Sequence, residues 1–265
     1  MKQKVLKALP GDHPWQKHIH WYESLDSTNA LTKKMAADGA PHGTVVIADH
    51  QTAGRGRLGR SFDSPKSSGI YMSVLLRPAR RPDKLMHLTC AAAVAICDAV
   101  ECASGFRPGI KWINDLVAGN KKLAGILTEL GFDSQTGMAD YAIIGIGINC
   151  TQSTADFPPE LREIACSLQS ATGVPVDRAK LAAAMIRELE KMSRELDEKE
   201  AILDRYRGDC VTLGKKVKVL RGEICREGTA IDMDADGGLI VRFDDGAEET
   251  VNSGEVSVRG LYGYS

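Results

Sequence analysis

The order of apolar and polar positions divides the chain into two unlike parts. Compact runs rich in β-branched residues predict strands at TVVIAD (44–49), IYMSVLL (70–76), GIKWI (109–113), KLAGILTEL (122–130) and YAIIGIGIN (141–149). Because the turns AGNKK and GFDSQTGMAD are short, these strands are expected to form a largely antiparallel sheet. Helical spacing predicts NALTKKMAAD, capped from Asp26, Ser27 and Thr28 and stopped at Gly39. A second helix, KLMHLTCAAAVAICDAVECAS, is apolar nearly all round and therefore buried, with Asp83 as its cap and Gly105 as its terminator. PELREIACSLQSAT and the long amphipathic DRAKLAAAMIRELEKMSRELDEKEAILDRYR complete the helices, and the first residues form a short polar lead. From Val211 the pattern becomes alternation: KKVKVLRG, TAIDMDADGGLIVRFDDG and EVSVRGLY, broken by D-G and G-G turns, predict a small antiparallel barrel. Domains are expected at 1–211 and 212–265.

Composition narrows the classes of function. The 34 basic and 35 acidic side chains leave a net charge of −1, so no global field recruits nucleic acid or an anionic membrane. Any electropositive site must be local. Seven cysteines, an odd number without a C-x-x-C pair, fit neither a disulfide framework nor a zinc site, and the six histidines are dispersed. No dedicated metal site is expected. The N-terminus lacks a signal-peptide core and no 18 consecutive apolar residues occur, so a cytoplasmic protein without a membrane partner is expected.

The local electropositive site is QTAGRGRLGRSF (51–62), which contains G-x-G-x-x-G at Gly54, Gly56 and Gly59. A dinucleotide turn needs a helix opening on the glycines and an acid about 20 residues further on; here the strand TVVIAD precedes but no helix follows. Two readings remain. The loop is a solvated basic turn, or its glycines bring backbone close to a ligand while Arg55, Arg57 and Arg60 grip phosphate or carboxylate, mobile when empty and ordered when filled. Local sequence equally leaves Lys111 as a strand-end lysine or an active group, and Ser27 and Thr28 as helix caps or ligand contacts.

Taken together, DSTN (26–29), HQTAGRGRLGR (50–60), SPKSSGIYMSVLLRP (64–78), KWINDL (111–116), KKLAGILTEL (121–130) and GIGIN (145–149) resemble, in order, the motifs of biotin protein ligases. The resemblance implies an α+β catalytic domain like that of class II aminoacyl-tRNA synthetases, a mixed, largely antiparallel sheet with flanking helices, followed by an SH3-like barrel. It implies ATP-dependent conversion of biotin to biotinyl-5'-AMP, then transfer to a lysine of a carboxylase carrier domain, with Mg2+ arriving on ATP. By that resemblance Lys111 is the catalytic lysine, assisted by Arg55 and Arg57. Ser27, Thr28, Asn29, Gln51 and Gly54, with Arg55, Arg57 and Lys111, match the biotin site; Arg57, Arg60, Lys111, Asn114, Lys122 and Asn149 match the adenylate site. Gly125 belongs to the matching strand turn, Gly145 and Gly147 are expected to let strand backbone lie near ligand, and Phe157 is a candidate lid over adenine. The chain departs from the family at Ile113, where proline is common, and at Phe62, where tryptophan is common. Some members carry an N-terminal DNA-binding domain; about twenty residues precede DSTN here, so no DNA binding is expected, while a homodimer is compatible with the resemblance.

Overall fold

The computed structural model describes residues 1–252 and the backbone of 257–260. A seven-stranded sheet is built from β1 (Ile19–Tyr22), β2 (Thr44–Ala48), β3 (Gly69–Leu76), β4 (Gly109–Lys111), β5 (Asp115–Ala118), β6 (Lys121–Phe132) and β7 (Ala139–Asn149), in the order β1-β2-β3-β7-β6-β5-β4. Only the β1–β2 pair is parallel; every other neighbour is antiparallel, as the short turns predict. The polar lead is not featureless, for it contains helix α1 (Lys2–Ala8) as well as β1.

Alternation along β7 decides what each face does. Ala142, Ile144, Ile146 and Ile148 enter the main core beneath the buried helix α3 (Leu88–Ser104) and helix α5 (Arg178–Arg194), whereas Ile143 lies with Ala36 and Leu75 on the opposite face. That opposite face carries α2 (Thr28–Ala37), which packs on β2, β3 and β7. Gly145 and Gly147 share it, and this leaves an open trough beyond the start of α2. The segment Pro82–Ser104 is long and apolar enough to cross a bilayer, but it is mostly buried in this core.

Three helical expectations change. Asp83 does not cap α3: it sits in a 3-10 turn (Pro82–Leu85) and accepts from Arg81 Nε at 3.0 Å, while His87 occupies the cap position. The long C-terminal helix is two helices, α5 and, after α4 (Leu168–Thr172) in our numbering, α6 (Lys199–Asp209). The break is imposed from outside, because His87 Nε2 donates to the Leu196 carbonyl at 2.9 Å and Arg80 forks onto Asp197. Finally, PELREIACSLQSAT is mostly irregular, with a 3-10 turn at Pro159–Leu161 and only α4 as regular helix.

The second sheet contains β8 (Lys216–Arg221), β9 (Ile224–Met233), β10 (Leu239–Phe243), β11 (Glu248–Val251) and β12 (Ser257–Gly260), ordered β11-β10-β9-β8-β12 and antiparallel throughout. Residues 255, 256, 261 and 262 of the predicted last strand lie outside the described residues. The change of pattern near Thr212 falls between the end of α6 and the start of β8. Val217, Val219, Met233, Leu239 and Val241 nevertheless join the same apolar cluster as α3. All seven cysteines are free; five are buried, and burial pushes the Cys150 thiol up to about 12.

Candidate active site

Two cross-strand rows form the floor of the site. In one, Ser73 of β3, Gly145 of β7 and Leu127 of β6 stand opposite one another; in the other, Tyr71, Gly147, Gly125 and Asp115 do. The space over the glycines is filled by side chains from elsewhere. A Cβ at Gly145 would lie 2.7 Å from Asn29 Cγ, and one at Gly147 would lie 2.5 Å from the Phe62 ring. Both glycines line the cavity above, which keeps strand backbone open to a ligand, and they also seat Asn29 and Phe62.

Above this floor is a cavity of about 630 Å3. It is lined by Ser27, Thr28, Asn29 and Gln51 on the β3 side, by Arg55, Arg57 and Arg60 of the glycine-arginine loop, and by Lys111, Asn114 and Lys122 beyond β6. Sequence motifs up to about a hundred residues apart thus meet in one place. The loop is held by Gly56 N–H to the Arg60 carbonyl at 2.7 Å and Phe62 N–H to the Gly54 carbonyl at 2.9 Å, with Gly59 at φ +73° making the turn. A second cavity, of about 560 Å3, adjoins the same loop and is walled by Thr89, Ile113 and Ile126 to Glu129.

The cations are positioned by specific partners. Arg57 Nη1 donates to Asn114 Oδ1 at 3.1 Å, and Asn114 is itself fixed to Ile126 by backbone and side-chain bonds of 2.8 Å each. Burial pushes the Arg57 guanidinium below its ordinary value, opposed by the nearby Asp115 carboxylate; it stays charged because an arginine starts so high. Lys122 pairs with Asp115 at 2.7 Å and lies 5.8 Å from the centre of the Phe62 ring. Lys111 ends β4 directly opposite Asp115. The segment behind it is clamped: Trp112 N–H donates to Thr212 Oγ1 at 2.9 Å, its indole N–H to the Gly237 carbonyl at 3.0 Å, and Tyr206 O–H to the Ile113 carbonyl at 3.1 Å.

The uncharged part of the cavity is a hydrogen-bonded set. Thr28 N–H donates to Gln51 Oε1 at 2.8 Å, and Gln51 Nε2 donates to Ser64 Oγ at 2.9 Å. Ser27 caps α2, its hydroxyl accepting from Ala30 N–H at 3.5 Å, so it combines the two roles its sequence left open: cap and cavity wall. Three expected residues do not line the main cavity. Gly54 is buried behind the loop, where a Cβ would come within 2.7 Å of Ser64 Oγ. Asn149 is buried and donates to the Cys166 carbonyl at 3.1 Å, and Phe157 is buried in the following segment. Glu163 and Ile164, which were not expected, do line the cavity, held where Lys122 N–H donates to the Ile164 carbonyl at 2.7 Å. Ser73, Asp115 and Glu129 were not among the expected residues; Ser73, the one small polar side chain in an otherwise apolar and aromatic strand, carried a visible signal.

Fold and site together define an α+β synthetase-like ligase domain with an SH3-like barrel at its C-terminal side. Residues 21–149 match the biotin/lipoate A/B protein ligase family and residues 212–259 match the biotin protein ligase C-terminal domain. The chain is 34% identical over 237 residues to the biotin–[acetyl-CoA-carboxylase] ligase of Mycobacterium tuberculosis, covering 87% of this chain and 85% of that one. The chain belongs to the biotin/lipoate A/B protein ligase family. It is 42% identical over 178 residues to the bifunctional ligase/repressor BirA of Bacillus spizizenii, an alignment covering 67% of this chain and 54%, about half, of that relative. Among solved structures, the biotin protein ligase from Aquifex aeolicus in complex with biotin and ATP superposes with a TM-score of 0.79 at 30% identity, covering 92% of this chain and 99% of that one.

Proposed function

We propose that the chain is a biotin protein ligase, which converts biotin and ATP to biotinyl-5'-AMP and pyrophosphate and then passes the biotinyl group to a lysine of a carboxylase carrier domain. One observation carries this reading: a single cavity joins uncharged hydroxyl and amide groups over β3 to five cationic side chains, Arg55, Arg57, Arg60, Lys111 and Lys122. A ureido ring offers one carbonyl acceptor and two N–H donors, which suit Ser27, Thr28 and Gln51. A carboxylate and a triphosphate suit the cations.

In the first half-reaction a biotin carboxylate oxygen bonds to the α-phosphorus as the bond to pyrophosphate breaks. In the second, the acceptor amine bonds to the acyl carbon as the bond to AMP breaks. Negative charge grows on oxygen in both, so fixed cations supply most of the acceleration. Lys111 meets the acyl oxygen and α-phosphate, Arg55 and Arg57 hold the adenylate and close the loop over biotin, and Arg60 reaches the polyphosphate. Asn114 orients Arg57, and Asn149 acts through the Cys166 carbonyl on the wall beside Lys122. Magnesium enters with ATP; among the described residues no cluster of His, Cys, Asp or Glu side chains could hold a metal, and Asp115 is paired with Lys122. The protein works in the cytoplasm, as a monomer or a homodimer, without DNA or membrane.

Titration calorimetry with biotin, lipoate and octanoate, followed by ATP-dependent pyrophosphate release by wild type and Lys111→Ala, tests the reading. Biotin-selective binding, with release lost in the variant, is expected. Preference for lipoate or octanoate overturns the substrate, and binding without release overturns the ligase activity.

A further inference from the structure

Both polar ends of Asn29 are engaged by protein groups. Its amide nitrogen donates to Glu129 Oε2 at 2.8 Å and lies 3.4 Å from the Leu127 carbonyl, while its oxygen receives the Ser73 hydroxyl at 2.6 Å. Ser73 Oγ is in turn 2.8 Å from Thr28 Oγ1, and Thr28 Oγ1 is 3.1 Å from Gln51 Oε1. Asn29 and Ser73 are both buried, so the set is shielded from water that could scramble its order.

The direction of every bond in this set follows from its two ends. A carboxylate and a backbone carbonyl can only accept, so both demand the NH2 side of Asn29 and turn its oxygen toward Ser73. Ser73 must then spend its one proton on Asn29. Its remaining lone pairs can only accept from Thr28. At the other end, Thr28 N–H fixes Gln51 with its oxygen inward, and that oxygen also can only accept. Whether the Thr28 hydroxyl proton goes to Ser73 or to Gln51, it is committed inward. Thr28 Oγ1 therefore offers the cavity a lone pair.

We infer that Glu129 is a specificity-determining positioning residue, which acts through Asn29 and Ser73 to hold Thr28 as an acceptor and so selects a ligand with an N–H donor at that point. The inference rests on the proposed recognition of a ureido ring. Glu129 needs no contact with the ligand; it lines the second cavity, on the other flank of the loop. A glutamine there can present either end of its amide, which removes the shorter of the two bonds that orient Asn29 and leaves only the 3.4 Å contact with the Leu127 carbonyl against its turning over; once turned, Asn29 lets Ser73 donate to Thr28 and the Thr28 proton point into the cavity.

The test compares wild type and Glu129→Gln in titrations with biotin and with biotin methylated on each ureido nitrogen in turn. Methylation replaces a donor by an apolar group, so at the nitrogen facing Thr28 it is expected to weaken wild-type binding on the order of tenfold or more. In Glu129→Gln, binding of biotin falls by about tenfold and the penalty for methylation shrinks to about threefold or less. Merely loosened packing would weaken both ligands alike and keep the ratio. ATP affinity and thermal unfolding report whether the variant is folded; should it not be, Ser73→Ala cuts the same relay at its centre and carries the same expectation. An unchanged methylation ratio in the folded variant, or no such penalty in wild type that binds biotin, overturns the positioning role alone. Failure of wild type to bind biotin overturns the ureido reading, and this inference with it.

Discussion

Gly145→Ala is the sharpest challenge to the packing account of the trough. The added methyl would overlap Asn29 Oδ1 outright and stand 2.7 Å from its Cγ and 2.8 Å from its Nδ2, against an ordinary carbon contact of about 3.5–4.0 Å. Asn29 has to retreat by more than about 1 Å, which takes bonds of 2.6 Å to Ser73 and 2.8 Å to Glu129 beyond hydrogen-bonding range. Each buried bond lost in this way costs about 1–3 kcal/mol, so the variant should be less stable by about 2–5 kcal/mol. At roughly 2–4 °C per kcal/mol for a protein of this size, thermal unfolding should come earlier by about 5–15 °C. Gly147→Ala is the control. Its methyl meets the half-buried Phe62 ring, the far end of a side chain on a loop, which can swing aside for less than about 1 kcal/mol. Calorimetric or fluorescence melts of both variants decide the matter. A Gly145→Ala protein melting within about 1 °C of wild type, or one no worse than Gly147→Ala, refutes the idea that Asn29 is locked.

Other substitutions probe separate parts of the molecule. Trp112→Phe removes the buried pyrrole half of the indole together with its bond to the Gly237 carbonyl, and urea unfolding should show a loss of about 2–4 kcal/mol from the bond and the cavity together; an unchanged midpoint would mean that the clamp contributes nothing to stability. Arg57→Ala frees the loop from Asn114, so single-turnover pyrophosphate release should fall by about 100-fold or more; wild-type release would remove Arg57 from the chemistry. Burial raises the Asp49 carboxyl, but hydrogen bonds from Arg178 and Ser67 outweigh it and hold the group below its ordinary range. A depressed carboxyl contributes stability above its unfolded pKa of about 3.9 and loses it as pH falls through the lower folded value. Asp49→Asn should therefore show a shallower fall in stability between about pH 4 and pH 2 than wild type; equal slopes would exclude this pair from acid unfolding.

Much of the sheet was legible because β2, β3, β6 and β7 are long, apolar and rich in β-branched residues, and such runs carry their own signal. β1 and β5 were not read as strands: IHWY and DLVA are four residues each and owe their conformation to partners distant in sequence or to a turn motif. The division of α5 from α6 was equally hidden. SRELDEKEA holds no glycine or proline and, apart from Ser193 and Asp197, only good helix formers, and the groups that hold the break, His87 and Arg80, are more than a hundred residues away. At the site, residue type alone left the glycine-arginine loop and Lys111 open between surface charge and chemistry, and the ordered set of family motifs decided between them. The Asn29–Glu129 bond spans a separation of 100 residues, and no local pattern distinguishes a glutamate in a strand that orients an amide from one that faces water.

The clamp behind Lys111 bears on how the protein is made. Helix α6, Thr212 and Gly237 supply the backing for residues 110–113, yet a ribosome delivers them about a hundred residues later. While that stretch is still being synthesised, the floor, the loop and the polar relay can all assemble, but the strand that presents Lys111 is held only along its β5 edge and lacks its backing. The cavity matures in order: its hydroxyl and amide wall over β3 is available first, and the segment behind Lys111 is backed only when Tyr206, Thr212 and Gly237 arrive.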